Sequence, residues 1–357
     1  MDSRLEIVRR TAGRVVLAEP DGSVHMARSY EILRSNDDGR SWSRAASLPR
    51  SSARRFAERS RLACRLLRHE VRALARLSDG TYVAASREGV FHGSGGVLTP
   101  SRIEVRGESM RPPMRLAVGP GDTLLWGEYV GRRPTRTIRL FASRDRGRTF
   151  EIVHTFDFGS VFHVHNVMYD ERLELYWVLA GDHGHEPGIG QLSGDLQRFE
   201  WLVRGEQRFR AVAAFDFGDR LVYATDTELE PNGLISLDKA TGKAERLRDF
   251  DGSCIYACRF GGLYALTTTV EPSRISRSVF SDLWLSRDCE HWWCAYRARK
   301  DRWHPRWFQF GSLVLPSGIS GREAVWFSGQ AVEGLDGSTA VAECTAAADR
   351  PQASSSS

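Results

Sequence analysis

The sequence predicts an all-β fold, a single seven-bladed β-propeller, on three observations: a recurring turn motif, its spacing, and short apolar strands parted by turns. The motif S-x-D-x-G-x-[ST]-[WF] occurs at 35–42 and 143–150, and degenerate copies begin at Ser193 and Ser286. The four serines lie 108, 50 and 93 residues apart, close to two, one and two equal units. A fixed period of about 50 residues is typical of propellers and solenoids.

Seven groups of short apolar segments can be drawn along the chain, as expected for four-stranded blades. They begin, in chain order, near Arg14, Glu70, Met114, His163, Arg210, Cys254 and Trp307. The seventh group shows only three strands, and the N-terminal segment Leu5–Arg9 is predicted to supply the fourth. Such a closure removes exposed sheet edges. A six-bladed ring is the alternative.

The propeller is predicted to occupy residues 1–345 as one domain. The segment 51–69 is too long for a turn between blades and has weak helical spacing, so it is interpreted as an insertion over one face with a short helix. The small, polar tail 346–357 is predicted to be disordered.

Composition points to a cytoplasmic protein. The N-terminus lacks the apolar stretch of a secretory signal, and no apolar run is long enough to span a membrane. The six cysteines are scattered without a CxxC pair, as expected in a reducing compartment. The net charge is +5, but only three of the 50 basic residues are lysines, a skew that looks like coding bias. Nucleic-acid binding is therefore not favoured.

The turn motif resembles the Asp-box, or BNR repeat, of sialidase-like β-propellers, and the resemblance extends over roughly residues 14–345. It implies structural turns away from any active site, in which the Asp and Gly tie a hairpin. The sialidase catalytic set has only faint analogues here, in Arg72 and Arg115, and no catalytic residue is carried over. The histidine-rich middle of the chain looks more like propeller polysaccharide lyases, which often carry a metal.

If the motif links the third strand of a blade to the fourth, the opposite face carries the starts of first strands and the ends of second strands. Polar residues gather at both places. The predicted catalytic residues are His163, His165, Asp182, Asp226, Glu230 and Glu271. The predicted substrate-binding residues are Arg72, Arg87, Arg115, Glu128, Tyr129, Gln207 and Arg210.

The pair His163 and His165 alternates by two, so both side chains leave the same face of a strand. Three interpretations stay open. The imidazoles are ligands of a divalent metal, joined by His183 or Asp182; one of them is a general base; or both bind neighbouring blades for structural reasons.

The acidic residues at the strand ends could supply the two carboxyl groups that glycosidases need. Asp182 and Asp226 hold equivalent positions in adjacent blades and are the preferred acids. The arginines could bind an anionic group through their planar forks, and Arg210 is the preferred anchor. Glu128 and Tyr129 are adjacent and are expected to point to opposite sides of a strand.

Together these features predict a carbohydrate-active propeller that binds, and cleaves by hydrolysis or elimination, an anionic sugar or another anionic small molecule. The alternative is a non-catalytic glycan-binding or protein-binding scaffold. No membrane partner is expected.

Overall fold

The computed structural model describes residues 3–51, 56–103, 105, 110–131 and 136–346, and these residues form an almost entirely β structure. The predicted tail, apart from residue 346, lies outside the described residues. Within the insertion, one helix, α1 (Arg61–Leu67), is described; Ser60 caps it by accepting a hydrogen bond from the Ala63 N–H. A second short helix, α2 (Pro305–Phe308), follows a His304 cap, and 3₁₀ turns occur at Pro120–Asp122 and Gln207–Phe209.

The strand pairings divide into antiparallel groups of four. The first 12 strands include the N-terminal strand, two such groups and the first strand of a third group. They are β1 (Ser3–Ala12), β2 (Arg14–Ala18), β3 (Val24–Arg28), β4 (Glu31–Ser35), β5 (Ser43–Ser47), β6 (Ala73–Arg76), β7 (Tyr82–Ser86), β8 (Gly89–Gly93), β9 (Gly96–Val97), β10 (Thr99–Pro100), β11 (Arg102–Ile103) and β12 (Ala117–Val118). The two remaining short strands, β9 and β11, lie in connections.

The middle of the chain completes the third group and forms the fourth and fifth. Its strands are β13 (Leu124–Gly127), β14 (Arg139–Ser143), β15 (Thr149–Thr155), β16 (Val164–Asp170), β17 (Leu175–Ala180), β18 (Gly188–Ser193), β19 (Phe199–Arg204), β20 (Phe215–Asp216), β21 (Arg220–Ala224), β22 (Asn232–Asp238) and β23 (Ala244–Phe250).

The last strands form the sixth group and most of a seventh. They are β24 (Ser253–Phe260), β25 (Leu263–Val270), β26 (Phe280–Ser286), β27 (Trp292–Arg299), β28 (Gly311–Val314), β29 (Ser317–Ser320), β30 (Val325–Gln330) and β31 (Ser338–Ala346). The short β29 pairs in parallel with β2 and β24.

The successive groups are β2–β3–β4–β5, β6–β7–β8–β10, β12–β13–β14–β15, β16–β19 in order, β20–β23 in order, β24–β27 in order, and β28–β30–β31–β1. In the last group the N-terminal β1 pairs antiparallel with β31, from Arg4 opposite Thr345 to Ala12 opposite Ser338. The predicted contribution of the N-terminal strand is therefore present. That these groups are seven blades of one ring stays a prediction.

The hydrophobic core lies between neighbouring groups, and it follows their order along the chain. Tyr30 and Phe91 belong to a cluster shared by the first and second groups, and Trp126 belongs to one shared by the second and third. Corresponding clusters join the third to the fourth, the fourth to the fifth and the fifth to the sixth. A last cluster unites the sixth, seventh and first groups, with Val15 and Trp326 among its members. The stacking thus returns to its start.

All four predicted turn motifs link the third strand of a group to the fourth. In the first, Asp37 accepts hydrogen bonds from the Ser35 hydroxyl (2.8 Å), the Ser41 N–H (2.9 Å) and the Ser41 hydroxyl (2.7 Å). Asp145 repeats the same three bonds with Ser143 and Thr149 at the same lengths. Asp195 and Asp288 in the degenerate copies also accept from the motif serine and from nearby backbone N–H groups. The predicted structural role of these aspartates matches the bonds they make.

Four predicted first strands begin later than expected. Those expected from near Glu70, Met114 and Arg210 begin at Ala73, Ala117 and Phe215. The strand expected from Trp307 begins at Gly311, because Pro305 and its His304 cap start α2 first.

Candidate functional site

The candidate site lies on the face opposite the turn motifs, where first strands begin and second strands end. His163 directly precedes β16, and Asp182 follows the end of β17 by two residues. Asp226 follows β21 in the same way, and Glu271 directly follows β25. Arg210 precedes β20, after the 3₁₀ turn at 207–209.

The two histidines converge on one carboxylate. Nε2 of His165 lies 2.9 Å from Oδ1 of Asp182, and Nε2 of His163 lies 3.3 Å from Oδ2 of the same group. Both imidazoles are 3% exposed. The second contact lacks the alignment of a hydrogen bond, so His163 Nε2 is a buried nitrogen without a hydrogen-bond partner among the described residues.

The other ring nitrogen of each histidine is held by a neighbouring group of strands. Nδ1 of His163 donates to the carbonyl of Val130 at 2.7 Å, and Nδ1 of His165 donates to the carbonyl of Ala211 at 3.0 Å. Because a carbonyl can only accept, these contacts place a proton on Nδ1 of both rings. Burial lowers the pKa of His163, although Asp182 opposes this shift.

A tight turn directs Asp182 into the site. Gly181 has φ +84°, and a Cβ there would lie 2.3 Å from the carbonyl oxygen of Glu186, so only glycine fits. The side-chain amide of Gln207 donates to the Asp182 carbonyl at 3.0 Å and accepts from the Thr227 hydroxyl. Gln207, which was predicted to bind substrate, is thus buried, and it supports the loop that carries Asp182.

Arg210 lies among acids rather than facing open solvent. Its guanidinium is 3.2 Å from Asp182 Oδ1, 2.5 Å from Glu228 Oε2 and 4.0 Å from Asp226 Oδ2. Burial lowers the pKa of Arg210, but the neighbouring carboxylates raise it by more. The predicted substrate anchor is therefore engaged by the protein's own carboxylates.

The carboxyl groups of the site have opposite proton affinities. Burial raises the pKa of Asp182, but the close contacts with the His163 and His165 imidazoles outweigh it and hold that pKa well below its usual range. Burial together with the charges of Asp226 and Glu228 raises the pKa of Glu271 to about 7. Burial also raises the pKa of Asp226.

Two tyrosine rings, each with an arginine guanidinium over it, extend the site. The ring of Tyr129 lies 4.2 Å from that of His163, centroid to centroid, and the guanidinium of Arg72 lies over Tyr129 at 5.9 Å. Arg115 lies over the ring of Tyr256 at 5.1 Å. Among the residues the structure describes, neither Arg72 nor Arg115 has a carboxylate partner.

Several predicted site residues lie apart from this cluster. Glu128 is fully buried and accepts hydrogen bonds from the Arg111 N–H and from Arg136, whereas Tyr129 contacts His163. Arg87 is exposed and donates to the Leu67 carbonyl of α1, and Glu230 is exposed on its loop.

His183 lies at the edge of the site, 49% exposed, with Nδ1 4.0 Å from Glu228. It lines an open groove of about 760 Å³ beside the fourth group, together with Ser160, His185 and Arg204.

Two residues of the site were not in the predicted set, Glu228 and Tyr256. Glu228 lies two residues beyond Asp226, in a loop where strand alternation no longer sets side-chain direction. Tyr256 lies within β24. Its hydroxyl accepts a hydrogen bond from Arg14, and the guanidinium of Arg115 lies over its ring; both arginines come from other groups of strands.

No helix among the described residues is long and apolar enough to cross a membrane. No protein-family profile matches the sequence, and no curated protein is similar to it.

Solved structures are similar in fold. The chain matches oligogalacturonate lyase in complex with manganese at a TM-score of 0.59 and 9% identity, covering 97% of this chain and 96% of that one. It matches YCF48 bound to D1 peptide at 0.58 and 9%, covering 98% and 97%. It also matches the extracellular domain of the putative one-component system BT4673 from B. thetaiotaomicron at 0.55 and 9%; 95% of this chain is covered but only 40% of that longer chain.

These structures are β-propeller proteins, and at such low identity the likeness concerns the fold alone. The chain is an all-β protein with a propeller fold.

Proposed function

We propose that this propeller binds an anionic oligosaccharide on the face that carries the His163–Asp182–Arg210 cluster and hydrolyses it by acid–base catalysis. Glu271 is the general acid, and Glu228 is the carboxylate that acts as base or nucleophile. Arg72 and Arg115 bind the anionic group of the sugar.

The observation that carries this proposal is the raised pKa of Glu271, about 7, which burial and the neighbouring Asp226 and Glu228 cause. Glycoside hydrolysis needs one carboxyl group that is protonated near neutral pH, to donate to the leaving oxygen, and a second that is ionised. Glu228 is held against the Arg210 guanidinium, and its charge contributes to the raised pKa of Glu271. The raised pKa suits Glu271 to the role of acid, and the contact with Arg210 suits Glu228 to the role of base or nucleophile.

Arg72 and Arg115, which have no carboxylate partner among the described residues, support an anionic substrate. A guanidinium without a carboxylate partner retains all its donors for a ligand, and its fork matches a carboxylate or sulfate. Arg72 and Arg115 also lie over tyrosine rings, whose faces can stack against a sugar ring.

The burial of the two histidines and the direction of their Nε2 atoms favour hydrolysis over elimination. A lyase base must reach a carbon-bound proton of the substrate, but both Nε2 atoms face Asp182 and both rings are buried. The similarity to oligogalacturonate lyase keeps elimination as an outcome to be tested.

The test is a panel of uronate-containing, sulfated and neutral oligosaccharides, assayed both for new reducing ends and for the ultraviolet absorbance of an unsaturated product. We expect reducing ends without the absorbance. Glu271→Gln should lower kcat by about 10²–10⁴-fold, because general acid catalysis contributes that much. Glu206→Gln, an exposed acid on the same face, is the control and should retain activity.

A second candidate, a non-catalytic platform, has one observation in its favour. Exposed apolar side chains lie on loops of the site face: Phe158, Leu229, Ile275, Trp307 and Phe310. Exposed apolar patches often mark binding surfaces. If no member of the panel is turned over, and Glu271→Gln binds a glycan or protein ligand as tightly as the unaltered chain, the platform is the correct function and catalysis is rejected.

A further inference from the structure

We infer that His163, His165 and Asp182 form a binding site for a divalent transition-metal ion. This goes beyond the proposed hydrolysis, whose acid and base are other residues. The three side chains each direct one ligand atom toward a common point, and these atoms lie within 4.8 Å of one another.

The first argument is the tautomer of the histidines. Both Nδ1 atoms donate to backbone carbonyls, so the Nε2 atom of a neutral ring carries a lone pair. His165 Nε2 is hydrogen-bonded to Asp182 Oδ1 at 2.9 Å, whereas His163 Nε2 is left buried without a hydrogen-bond partner among the described residues. An ion bound at this point would take the lone pair of His163 Nε2 and would replace the proton between His165 and Asp182.

The second argument is distance. The ligand atoms are separated by 2.9 Å, from His165 Nε2 to Asp182 Oδ1, and by 3.3 Å, from His163 Nε2 to Asp182 Oδ2. Bonds of about 2.0–2.1 Å place neighbouring ligands about 2.9 Å apart in an octahedron and about 3.3 Å apart in a tetrahedron. These two distances involve different oxygens of Asp182, and one ligand atom from each of the three residues lies within 4.8 Å of the others, so side-chain rotations must bring all three to bonding distance of the ion.

The third argument is the outer shell. Metal-binding histidines usually donate their second N–H to a carbonyl or carboxylate, which fixes the ring and strengthens the ligand. Val130 and Ala211 provide these carbonyls here, and they belong to the strand groups on either side. The site is thus held from three parts of the fold.

The fourth argument is the chemistry of the ligand set. Two imidazoles and one carboxylate favour Zn²⁺, Mn²⁺ or Fe²⁺ over Mg²⁺ and Ca²⁺, which prefer oxygen ligands. Three protein ligands leave positions free for water or a substrate oxygen.

The inference can be tested on protein that carries no affinity tag, by measurements that do not depend on turnover. We expect elemental analysis to find about one transition-metal ion per chain, and chelator-treated protein to bind Zn²⁺ or Mn²⁺ with one-to-one stoichiometry by calorimetry. Saturation at 100 times the dissociation constant should raise the melting temperature by about 3 °C for a chain of this size. Absence of bound metal together with absence of Zn²⁺ and Mn²⁺ binding would overturn the inference.

Variants identify the ligands. His163→Gln and His165→Gln should each weaken Zn²⁺ binding by about 100-fold or more, since even outer-shell changes cost about 10–100-fold. His185→Gln, an exposed histidine of the same loop, is the matched control and should bind normally. His183→Gln should also bind normally; equal loss in that variant would reject Asp182 as the third ligand.

A measurement on the unaltered chain covers the case in which these variants fail to fold. Chelated protein reconstituted with Co²⁺ should show d–d absorption bands and X-ray absorption features of mixed nitrogen and oxygen ligands. A spectrum with oxygen ligands alone would place the ion elsewhere and overturn the assignment.

Discussion

At the scale of single residues, the site depends on groups whose protonation differs between the folded and unfolded chain. Glu271 is the clearest, because burial and the charges of Asp226 and Glu228 raise its pKa to about 7, while Arg210 opposes and Asp182 adds to the shift. The unfolded chain releases this proton near the ordinary pKa of about 4.3. Between these values the folded chain binds more protons than the unfolded chain.

Stability should therefore fall as pH rises from about 4.3 to about 7, and this contribution should level off above that. Glu271→Gln should remove it, which gives a difference on the order of 1–2 kcal/mol across the window, reduced because Glu271 is partly exposed to solvent. Denaturant unfolding of both proteins at several pH values measures the difference. Parallel pH profiles would mean that Glu271 ionises normally.

Arg72 and Arg115, for which the described part of the chain provides no carboxylate partner, give a prediction about substrate binding. Arg72→Gln and Arg115→Gln should each raise KM for an anionic oligosaccharide by about 10-fold or more, since a charged hydrogen bond contributes about 1.5–3 kcal/mol. The KM for a neutral analogue should change little. Arg208→Gln is the control, since Arg208 is exposed and paired with Glu206 on the same face. Equal losses for charged and neutral sugars would indicate a structural role for the arginines.

The part of the site that could be predicted from the sequence is the part where a strand sets the direction of the side chains. Next to a strand, alternation by two places the side chains, so His163 and His165 were expected on one face of β16. Beyond a strand end the alternation no longer sets side-chain direction, and Asp182 reaches the histidines through the turn at Gly181. Glu228 turns back to Arg210 while Glu230 stays exposed, and nothing in their spacing distinguishes them.

At the scale of strands and turns, the Ser-Asp-Gly motif was the strongest signal in the sequence. Its glycines have φ near +80°, and they also face the neighbouring group of strands. A Cβ on Gly147 would lie 2.7 Å from Val83, and one on Gly39 would lie 2.8 Å from Trp326. In the two complete copies, glycine therefore serves both the turn and the close packing of adjacent groups.

Asp145→Ala should destabilise the fold by about 1–3 kcal/mol, because it removes three hydrogen bonds and leaves the Thr149 N–H without its acceptor. Ligand binding by the folded variant should be unchanged, since the turn lies on the face opposite the site. Asp195→Ala, in a degenerate copy with fewer bonds, should cost less. Unfolding curves and a binding titration provide the check; a larger effect in Asp195→Ala would contradict the order of importance.

At the scale of the whole molecule, the site requires that the stacked groups stay together, since His163, Arg210 and Glu271 come from three of them. The join between the two ends of the chain is the antiparallel pairing of β1 with β31. Along β1, Leu5 and Ile7 pack against the shared core of the sixth, seventh and first groups, while Arg4 and Glu6 are exposed. Leu5 and Ile7 alternate with Arg4 and Glu6 along the same strand, so the exposed pair serves as a control for the packed pair.

Replacing Leu5 and Ile7 together by Ser should lower the free energy of unfolding by about 2–4 kcal/mol, because each side chain loses part of its apolar burial. The exposed edge of β31 should then promote aggregation. The matched replacement of Arg4 and Glu6 by Ser keeps the backbone pairing and should change stability by less than about 0.5 kcal/mol. Thermal melts with light scattering compare the two. If both double variants melt alike, the N-terminal strand does not hold the ends of the propeller together, and the closure of the fold must lie in the core packing alone.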